Sequence, residues 1–134
     1  MSPFFDSNVL VYAYSTDPRR DRALKTIADG GVVSVQVLNE FTNVLRRKQM
    51  QDWPVIEAAL SSIFFRFPDV RPLTAATHTA ALALARDHHL QFYDAPIVAA
   101  ALEAGCDTLF TEDMQHGRKF GSLDIVNPFL ESAP

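Results

Sequence analysis

Four acidic residues stand beside or inside strongly apolar segments, where a solvated surface acid is least expected. They are Asp6, which ends Ser2–Phe5; Glu40, in the middle of Val35–Phe41; Asp94, which opens Asp94–Leu102; and Asp113, which closes Leu109–Asp113. Two carboxylates about 4 Å apart repel each other by roughly 4 kcal/mol at an effective dielectric of about 20. A cluster of acids is therefore stable only if it holds protons or a cation. If the four meet in the folded chain, they predict a divalent-metal site and an enzyme acting on phosphate esters.

The kind of metal follows from the ligands that the chain offers. Carboxylate oxygens without a histidine or thiolate partner select Mg²⁺ or Mn²⁺ over zinc. The sequence has no H-E-x-x-H, C-x-x-C, G-x-x-x-x-G-K-[ST] or G-x-S-x-G motif, and its four histidines lack metal-ligand spacing. We therefore expect one ion or a pair of ions to activate water, which hydrolyses a phosphodiester to a 5′-phosphate and a 3′-hydroxyl.

Each acid also has an explanation that involves no chemistry. Asp6 can cap the helix that follows it, and Asp94 can cap the next apolar helix. Glu40 can be an exposed helix residue paired with Arg47, and Asp113 can belong to a polar turn. Any one of these explanations is acceptable alone, but all four at once leave the shared placement of the acids unexplained.

The composition is that of an ordinary folded protein in one domain, residues 1–134. Hydrophobic residues make up 48% and charged residues 21% of the 134 residues. No basic segment followed by an apolar stretch opens the chain, and no apolar run reaches membrane-spanning length, so we expect a cytoplasmic protein with no membrane contact. The single cysteine, Cys106, fits a reducing compartment and is interpreted as a small buried residue.

The charge distribution bears on nucleic-acid binding. A net charge of −4 argues weakly against a protein that holds nucleic acid by bulk electrostatics. If the acids bind metal, however, their local field is largely cancelled and clustered cations can face a polyanion. The alternative is that these cations are solvated helix ends. They form three groups: Arg19, Arg20, Arg22 and Lys25; Arg46, Arg47 and Lys48; Arg118 and Lys119.

Strand-like and helix-like segments alternate along the chain, which favours a parallel sheet covered by helices on both faces. In such sheets ligands bind beyond the carboxyl ends of the strands, where Asp6 and Asp113 lie. Glu40 and Asp94 fall in the first or second turn of helices, and a helix that follows a strand starts at that same edge, so the four acids can converge. The predicted strands are Pro3–Asp6, Val32–Val35, Val70–Leu73, Thr108–Thr111 and Ile125–Val126. The predicted helices are Val9–Ser15, Arg20–Ala28, one capped by Ser34, one from Asp52 to Phe67, one capped by Thr74, and Ala95–Glu103. In the helix capped by Thr74, the residues expected to face inward are Thr77, Ala80, Ala81, Leu84 and His88.

Four segments resemble a known family in order and spacing: Phe4–Tyr12, Asn39–Phe41, Tyr93–Ala95 and Thr111–Asp113. They are similar to the PIN domain and, more narrowly, to the VapC-type ribonuclease toxins of bacterial toxin–antitoxin pairs. The resemblance covers nearly the whole chain, and its first and third motifs are specific. It implies a three-layer α/β/α fold with about five parallel strands.

The resemblance also implies a site and partners. It assigns Mg²⁺ or Mn²⁺ binding and catalysis to Asp6, Glu40, Asp94 and Asp113. It gives hydrogen-bonding support to Ser7, Asn8 and Thr111, and Glu112 is a candidate outer ligand. It further implies an RNA substrate, commonly a tRNA or rRNA loop, a homodimer, and an antitoxin whose tail occludes the active site.

Two departures and several alternatives accompany this interpretation. Pro96 stands where the family usually has an apolar residue, although proline is tolerated in a first helical turn. Adjacent Glu112 and Asp113 leave the fourth ligand open by one residue, and Asp113 is preferred because it lies two residues after Thr111.

A haloacid-dehalogenase-like phosphatase is an alternative, but it needs a second aspartate where this chain has Asn8. A non-catalytic RNA- or protein-binding module of the same fold, or a nuclease acting on DNA flaps, remains as a further alternative.

Overall fold

A computed structural model describes residues 2–130 as alternating strands and helices. The strands are β1 (Phe4–Phe5), β2 (Val32–Ser34), β3 (Asp69–Arg71), β4 (Thr108–Phe110), β5 (Lys119–Phe120) and β6 (Leu123–Val126). The helices are α1 (Ser7–Ala13), α2 (Arg20–Ile27), α3 (Val35–Asn43), α4 (Trp53–Arg66), α5 (Ala75–His88) and α6 (Ala95–Glu103). A π-helical segment, Val44–Lys48, continues α3.

The strands form one sheet in the order β3-β2-β1-β4-β6-β5. All neighbouring pairs are parallel except β5 and β6. The chain builds outward from β1 through β2 to β3 and then returns across the sheet to β4. Because parallel crossovers are right-handed, this reversal places α1–α4 and α5–α6 on opposite faces. The strand order therefore reverses between β1 and β4, and the carboxyl ends of these two strands form the expected ligand crevice.

The centre of the sheet is aromatic, and Phe5 of β1 is fully buried there. The Phe5 ring lies 5.4 Å from the Phe67 ring and 5.6 Å from the Phe110 ring, measured between centroids. Helix α6 is buried at every position from Ala95 to Ala101, which explains why its sequence is apolar on all sides. No helix of residues 2–130, α6 included, has both the length and the apolar character needed to cross a membrane.

The predicted α/β architecture is confirmed, with helices flanking a mostly parallel sheet. Ser34 caps α3 by accepting a hydrogen bond from the Val37 amide at 3.3 Å, and Thr74 forms a reciprocal capping box with Thr77. Five strands are parallel, as expected, but the short antiparallel strand β5 was not predicted. Strand β5 has only two residues and forms a hairpin with β6, so its sequence is too short to show a period-2 pattern.

The prediction for the inner face of α5 was partly wrong. Thr77 and Ala81 are buried and Leu84 is partly buried, but Ala80 and His88 are exposed. Helix α5 packs chiefly against α6, where the Thr77 hydroxyl donates to Glu103 at 2.9 Å. A helix that packs against a single neighbour buries only a narrow strip, so fewer positions face inward than the spacing suggested.

Gly31 provides a test of how tightly β1 and β2 are packed. A Cβ atom at this position would lie 2.5 Å from the Phe5 ring and 2.5 Å from the Pro3 carbonyl oxygen, and the backbone φ is +156°. We expect Gly31→Ala to lower the free energy of unfolding by about 2 kcal/mol or more, because both overpacking and backbone strain contribute. Urea denaturation measures this change.

The matched control is Gly121→Ala in the β5–β6 hairpin. Gly121 also has a positive φ, +61°, but a Cβ atom there would meet nothing within 4 Å. Gly121→Ala should lower the free energy of unfolding by only about 1 kcal/mol, because backbone strain is the only contribution. Equal losses in the two variants would contradict the close packing assigned to Gly31.

Candidate active site

Asp6 is the most buried of the four acids and follows β1 directly. Its amide donates to the Phe110 carbonyl of β4 at 3.0 Å, and its side chain is only 2% exposed. One carboxylate oxygen accepts from the Ser7 amide at 2.7 Å, and the other accepts from the Thr111 hydroxyl at 2.8 Å. Asp6 therefore caps α1, as the simpler explanation held, but it also connects the ends of β1 and β4.

Glu40 reaches the same edge from α3, which starts directly after β2. Its Oε1 accepts from the Ser7 hydroxyl at 3.2 Å, and the same hydroxyl lies 3.4 Å from Asp6 Oδ1. The other oxygen accepts from the Gln36 amide group at 3.3 Å, one helical turn earlier. Among the ion pairs of residues 2–130, none joins Glu40 to Arg47, so the alternative explanation of Glu40 as a residue paired with Arg47 does not hold.

Asp113 is held by the loop that follows β4. The Asn8 side-chain amide donates to Asp113 Oδ2 at 3.1 Å and to the Thr111 hydroxyl oxygen at 3.2 Å. The Asp113 amide donates to the same Thr111 oxygen at 3.1 Å, and the Asn8 side-chain oxygen Oδ1 accepts from the Glu112 backbone amide at 3.3 Å. Asn8 and Thr111 thus fix the loop against α1.

Asp94 arrives by a different route from the one predicted. Helix α6 follows α5 rather than a strand, but it ends at Glu103 just before β4 begins at Thr108. Since the chain must enter β4 at its amino end, α6 runs antiparallel to β4 and starts at the carboxyl edge. The Asp94 carboxylate makes no capping hydrogen bond to α6. The helix-cap explanation therefore does not account for it.

Burial and charge repulsion raise the pKa values of three of these acids, Asp6, Glu40 and Asp94. Burial raises the pKa of Asp6 to about 7, and repulsion from Glu40 and Asp113 adds to this rise. Burial also raises the pKa of Glu40, helped by Asp94 and Asp113, and the pKa of Asp94, helped by Asp113. Perturbed acids grouped at a sheet edge are typical of functional sites.

These groups can be compared with the needs of a hard divalent cation. The neighbours that hold the acids are hydroxyl and amide groups, and no Lys or Arg of residues 2–130 forms an ion pair with any of the four. Oxygen-only ligands and uncompensated charge suit Mg²⁺ or Mn²⁺. No three acidic, histidine or cysteine side chains in the described part of the chain form a ready-made coordination shell. These oxygen ligands suit such an ion chemically. Completing its coordination shell requires rotation of the side chains or further oxygen ligands from a substrate.

Glu112 is engaged elsewhere. Its carboxylate accepts hydrogen bonds from the Tyr12 hydroxyl and from Arg19, the latter at 3.4 Å. The Arg19 guanidinium lies 4.0 Å from the centroid of the Tyr12 ring and also pairs with Asp17 at 2.8 Å. Asp113, not Glu112, is therefore the neighbour that acts on the other acids. Sequence reasoning did not foresee the Tyr12–Glu112–Arg19 contacts, which join residues far apart in the chain.

In a three-layer α/β/α fold, ligands bind at the carboxyl ends of the strands that flank the strand-order reversal, which is where these acids lie. Residues 4–119 match the PIN domain family, which is most of the chain. The chain belongs to the PIN domain family. No curated protein sequence matches it.

Solved structures share this fold at low sequence identity. VapC20 of Mycobacterium tuberculosis, described as a sarcin-ricin loop cleaving toxin, is 22% identical with a TM-score of 0.70, covering 84% of this chain and 92% of its own. A toxin–antitoxin complex from Klebsiella pneumoniae is 19% identical with a TM-score of 0.72, covering 96% and 98%. VapBC2 from Rickettsia felis, bound to a DNA fragment from its promoter, is 16% identical with a TM-score of 0.69, covering 93% and 97%.

The raised pKa of Asp6 predicts an unusual pH dependence of stability. Its ordinary value is 3.8 and its folded value about 7, so between these values the folded state binds more protons than the unfolded state. The stabilising contribution is complete below about pH 4 and is lost as pH rises to about 7, by at most about 4 kcal/mol. In EDTA, denaturant unfolding should therefore show lower stability at pH 7 than at pH 5.

Asp6→Asn should flatten this dependence because the substituted side chain carries no titrating proton. A slope remains from Glu40 and Asp94, whose pKa values are also raised. Asp107→Asn, a change at an exposed residue outside the cluster, is the control and should keep the full dependence. Equal slopes in the wild type and in Asp6→Asn would show that burial of this carboxylate has no such effect.

Proposed function

We propose that this protein is a Mg²⁺- or Mn²⁺-dependent endoribonuclease and the toxin of a VapBC-type toxin–antitoxin pair. The observation that supports the proposal is that Asp6, Glu40 and Asp94 have raised pKa values to which the neighbouring acids, including Asp113, contribute by repulsion. Membership of the PIN domain family supports a nuclease. The fold shared with VapC20 and with two toxin–antitoxin complexes supports the toxin assignment.

Asp6, Glu40, Asp94 and Asp113 would hold the metal. A bound divalent cation lowers the pKa of water and stabilises charge that develops on a phosphodiester in the transition state. The expected products are a 5′-phosphate and a 3′-hydroxyl.

The chain itself supplies a rigid frame for these acids. Ser7 and Thr111 hold the carboxylate of Asp6, and Asn8 holds that of Asp113. Such fixed orientation reduces the reorganisation needed when the substrate phosphate arrives. Asp94 is half-buried and its carboxylate accepts no hydrogen bond from within residues 2–130, so it is the acid best able to turn toward an incoming group.

The structure also bears on the phosphatase alternative. A haloacid-dehalogenase-like mechanism needs a proton-donating aspartate at position 8. Asn8 instead uses its amide to hold Asp113 and Thr111, and an amide cannot act as a general acid there. Metal-assisted hydrolysis by water is therefore the chemistry that these residues support best.

Partners follow from the same assignment. The substrate would be RNA, with a tRNA or rRNA loop as the expected target, and the active form a homodimer controlled by an antitoxin protein. Among the basic groups, Arg19 is paired with Asp17 and Lys119 with Asp124 at 2.6 Å. No ion pair of residues 2–130 involves Arg46, Arg47 or Lys48. Arg46 donates to the Gln51 carbonyl at 3.1 Å and lies 4.8 Å from the centroid of the Trp53 ring, so Arg47 and Lys48 are the members of this group proposed to meet phosphate.

Asp94→Asn tests the proposal directly. With Mg²⁺ or Mn²⁺ present, RNA cleavage should fall at least about 100-fold, because removing one carboxylate weakens the metal site. Folding should be preserved or improved in EDTA, because repulsion between Asp94 and Asp113 is relieved. Gel analysis of RNA fragments, mass spectrometry of their ends and a thermal melt measure these effects.

Asp29→Asn is the matched control, since Asp29 is exposed and lies in the turn after α2. It should cleave RNA like the wild type and yield the same 5′-phosphate ends. Wild-type rates in Asp94→Asn, with contaminating nuclease excluded, would refute the catalytic assignment and favour a non-catalytic binding module.

A further inference from the structure

Two aromatic side chains stand exposed directly before Asp94. Tyr93 is 65% exposed and Phe92 is 36% exposed. They occupy a turn fixed by its backbone, because the Asp94 amide donates to the Gln91 carbonyl at 3.0 Å and the Ala95 amide donates to the Phe92 carbonyl at 3.1 Å. Two large rings are thus presented to solvent by a rigid turn one residue from the acid cluster.

The rings form a small cluster, here called the aromatic turn: Phe92, Tyr93 and His78. The Phe92 and Tyr93 rings lie 5.8 Å apart at an interplanar angle of 67°. His78, on α5, packs its ring 5.8 Å from Phe92 at 65°. His78 and Phe92 therefore support one another, while Tyr93 keeps a largely open face.

The position of the aromatic turn indicates what it binds. Consecutive Cα atoms are about 3.8 Å apart, so Tyr93 begins next to the residue that lies in the acid cluster. A nucleotide whose phosphate reaches Asp94 has its base within range of these rings. A patch of two or three rings has the size of a base and falls far short of the roughly 1,000 Å² of a stable protein interface.

The net charge of the chain gives a second reason to expect that the aromatic turn contacts RNA. The chain carries a net charge of −4, so attraction between its basic side chains and the RNA backbone offers little affinity. Stacking of an unpaired base on an aromatic ring supplies binding energy that does not depend on cations. Base stacking therefore compensates for the weak electrostatic affinity for RNA that follows from the net negative charge.

We infer that the aromatic turn stacks on an unpaired RNA base beside the scissile phosphate, with Tyr93 as the main platform. The inference rests on the proposed function, because it names how that site holds its substrate. It predicts a preference for single-stranded or loop RNA over paired RNA, in which the bases are already stacked.

A fluorescent oligoribonucleotide tests the inference without cleavage. The probe is a single-stranded RNA containing 2-aminopurine, whose fluorescence falls on stacking, titrated into the Asp6→Asn protein and its further variants. Adding Tyr93→Ala should weaken Kd about tenfold and abolish the quenching. Tyr93→Phe keeps the ring and should stay within about twofold of the parent. Tyr93→Leu keeps apolar bulk without the ring, and should behave like Tyr93→Ala even if the alanine variant folds poorly.

Phe65→Ala is the matched aromatic control. Phe65 is 89% exposed near the end of α4, just before β3 begins, and so lies at the opposite edge of the sheet from the acids. It should leave both Kd and quenching unchanged. In the protein with Asp6 intact, Tyr93→Ala should raise KM by a similar factor with kcat nearly constant, as expected for a lost binding contact.

The outcomes separate the inference from the proposed function. Parent-like binding and quenching in both Tyr93→Ala and Tyr93→Leu would overturn base stacking, even if RNA cleavage is confirmed. A change of oligomeric mass in these variants with quenching intact would assign the surface to protein contact and also overturn it. Ring-dependent quenching in a protein that cleaves no RNA would sustain base stacking while refuting the nuclease proposal.

Discussion

The structure depends on one unfavourable interaction, the crowding of like-charged carboxylates at the carboxyl ends of β1 and β4. Asp6 is buried there, and its pKa is raised first by loss of water and then by repulsion from Glu40 and Asp113. The fold tolerates this charge by surrounding it with hydrogen-bond donors from Ser7, Asn8 and Thr111 rather than with cations. No basic side chain of residues 2–130 forms an ion pair with these acids, so no cation among the described residues neutralises their charge in this way.

The topology explains why residues so distant in sequence share this location. Strand β1 lies at the centre, the chain adds β2 and β3 on one side, and then it crosses to β4 on the other. Asp6 and Asp113 follow the two strands that flank the reversal. Glu40 reaches the edge on α3 after β2, and Asp94 reaches it at the start of α6, which runs back toward the beginning of β4. The order of strands and helices therefore brings the four acids to the same edge of the sheet, independently of any side-chain contact.

Much of this arrangement was predictable from local patterns. Apolar runs ending in an acid located β1 and β4, and the apolar segment between Asp94 and Gly105 gave α6 with its observed limits. Long-range contacts were not predictable. The route of Asp94 depends on the pairing of α5 with α6, and the exposure of His88 depends on how little of α5 that pairing covers. The Tyr12 contact with Glu112 joins residues a hundred positions apart and has no sequence signature.

The central claim is that the convergent acids bind a divalent cation, and thermal unfolding with and without metal tests it most directly. Binding to the folded state alone raises Tm with metal concentration, by about 2.7 kcal/mol in stability at a hundred times Kd. Millimolar Mn²⁺ or Mg²⁺ should therefore raise the Tm of the wild type above its value in EDTA, and the rise should be lost in Asp6→Asn and Asp94→Asn. A wild-type melt unmoved by either metal, or an equal rise in all three proteins, would contradict the account.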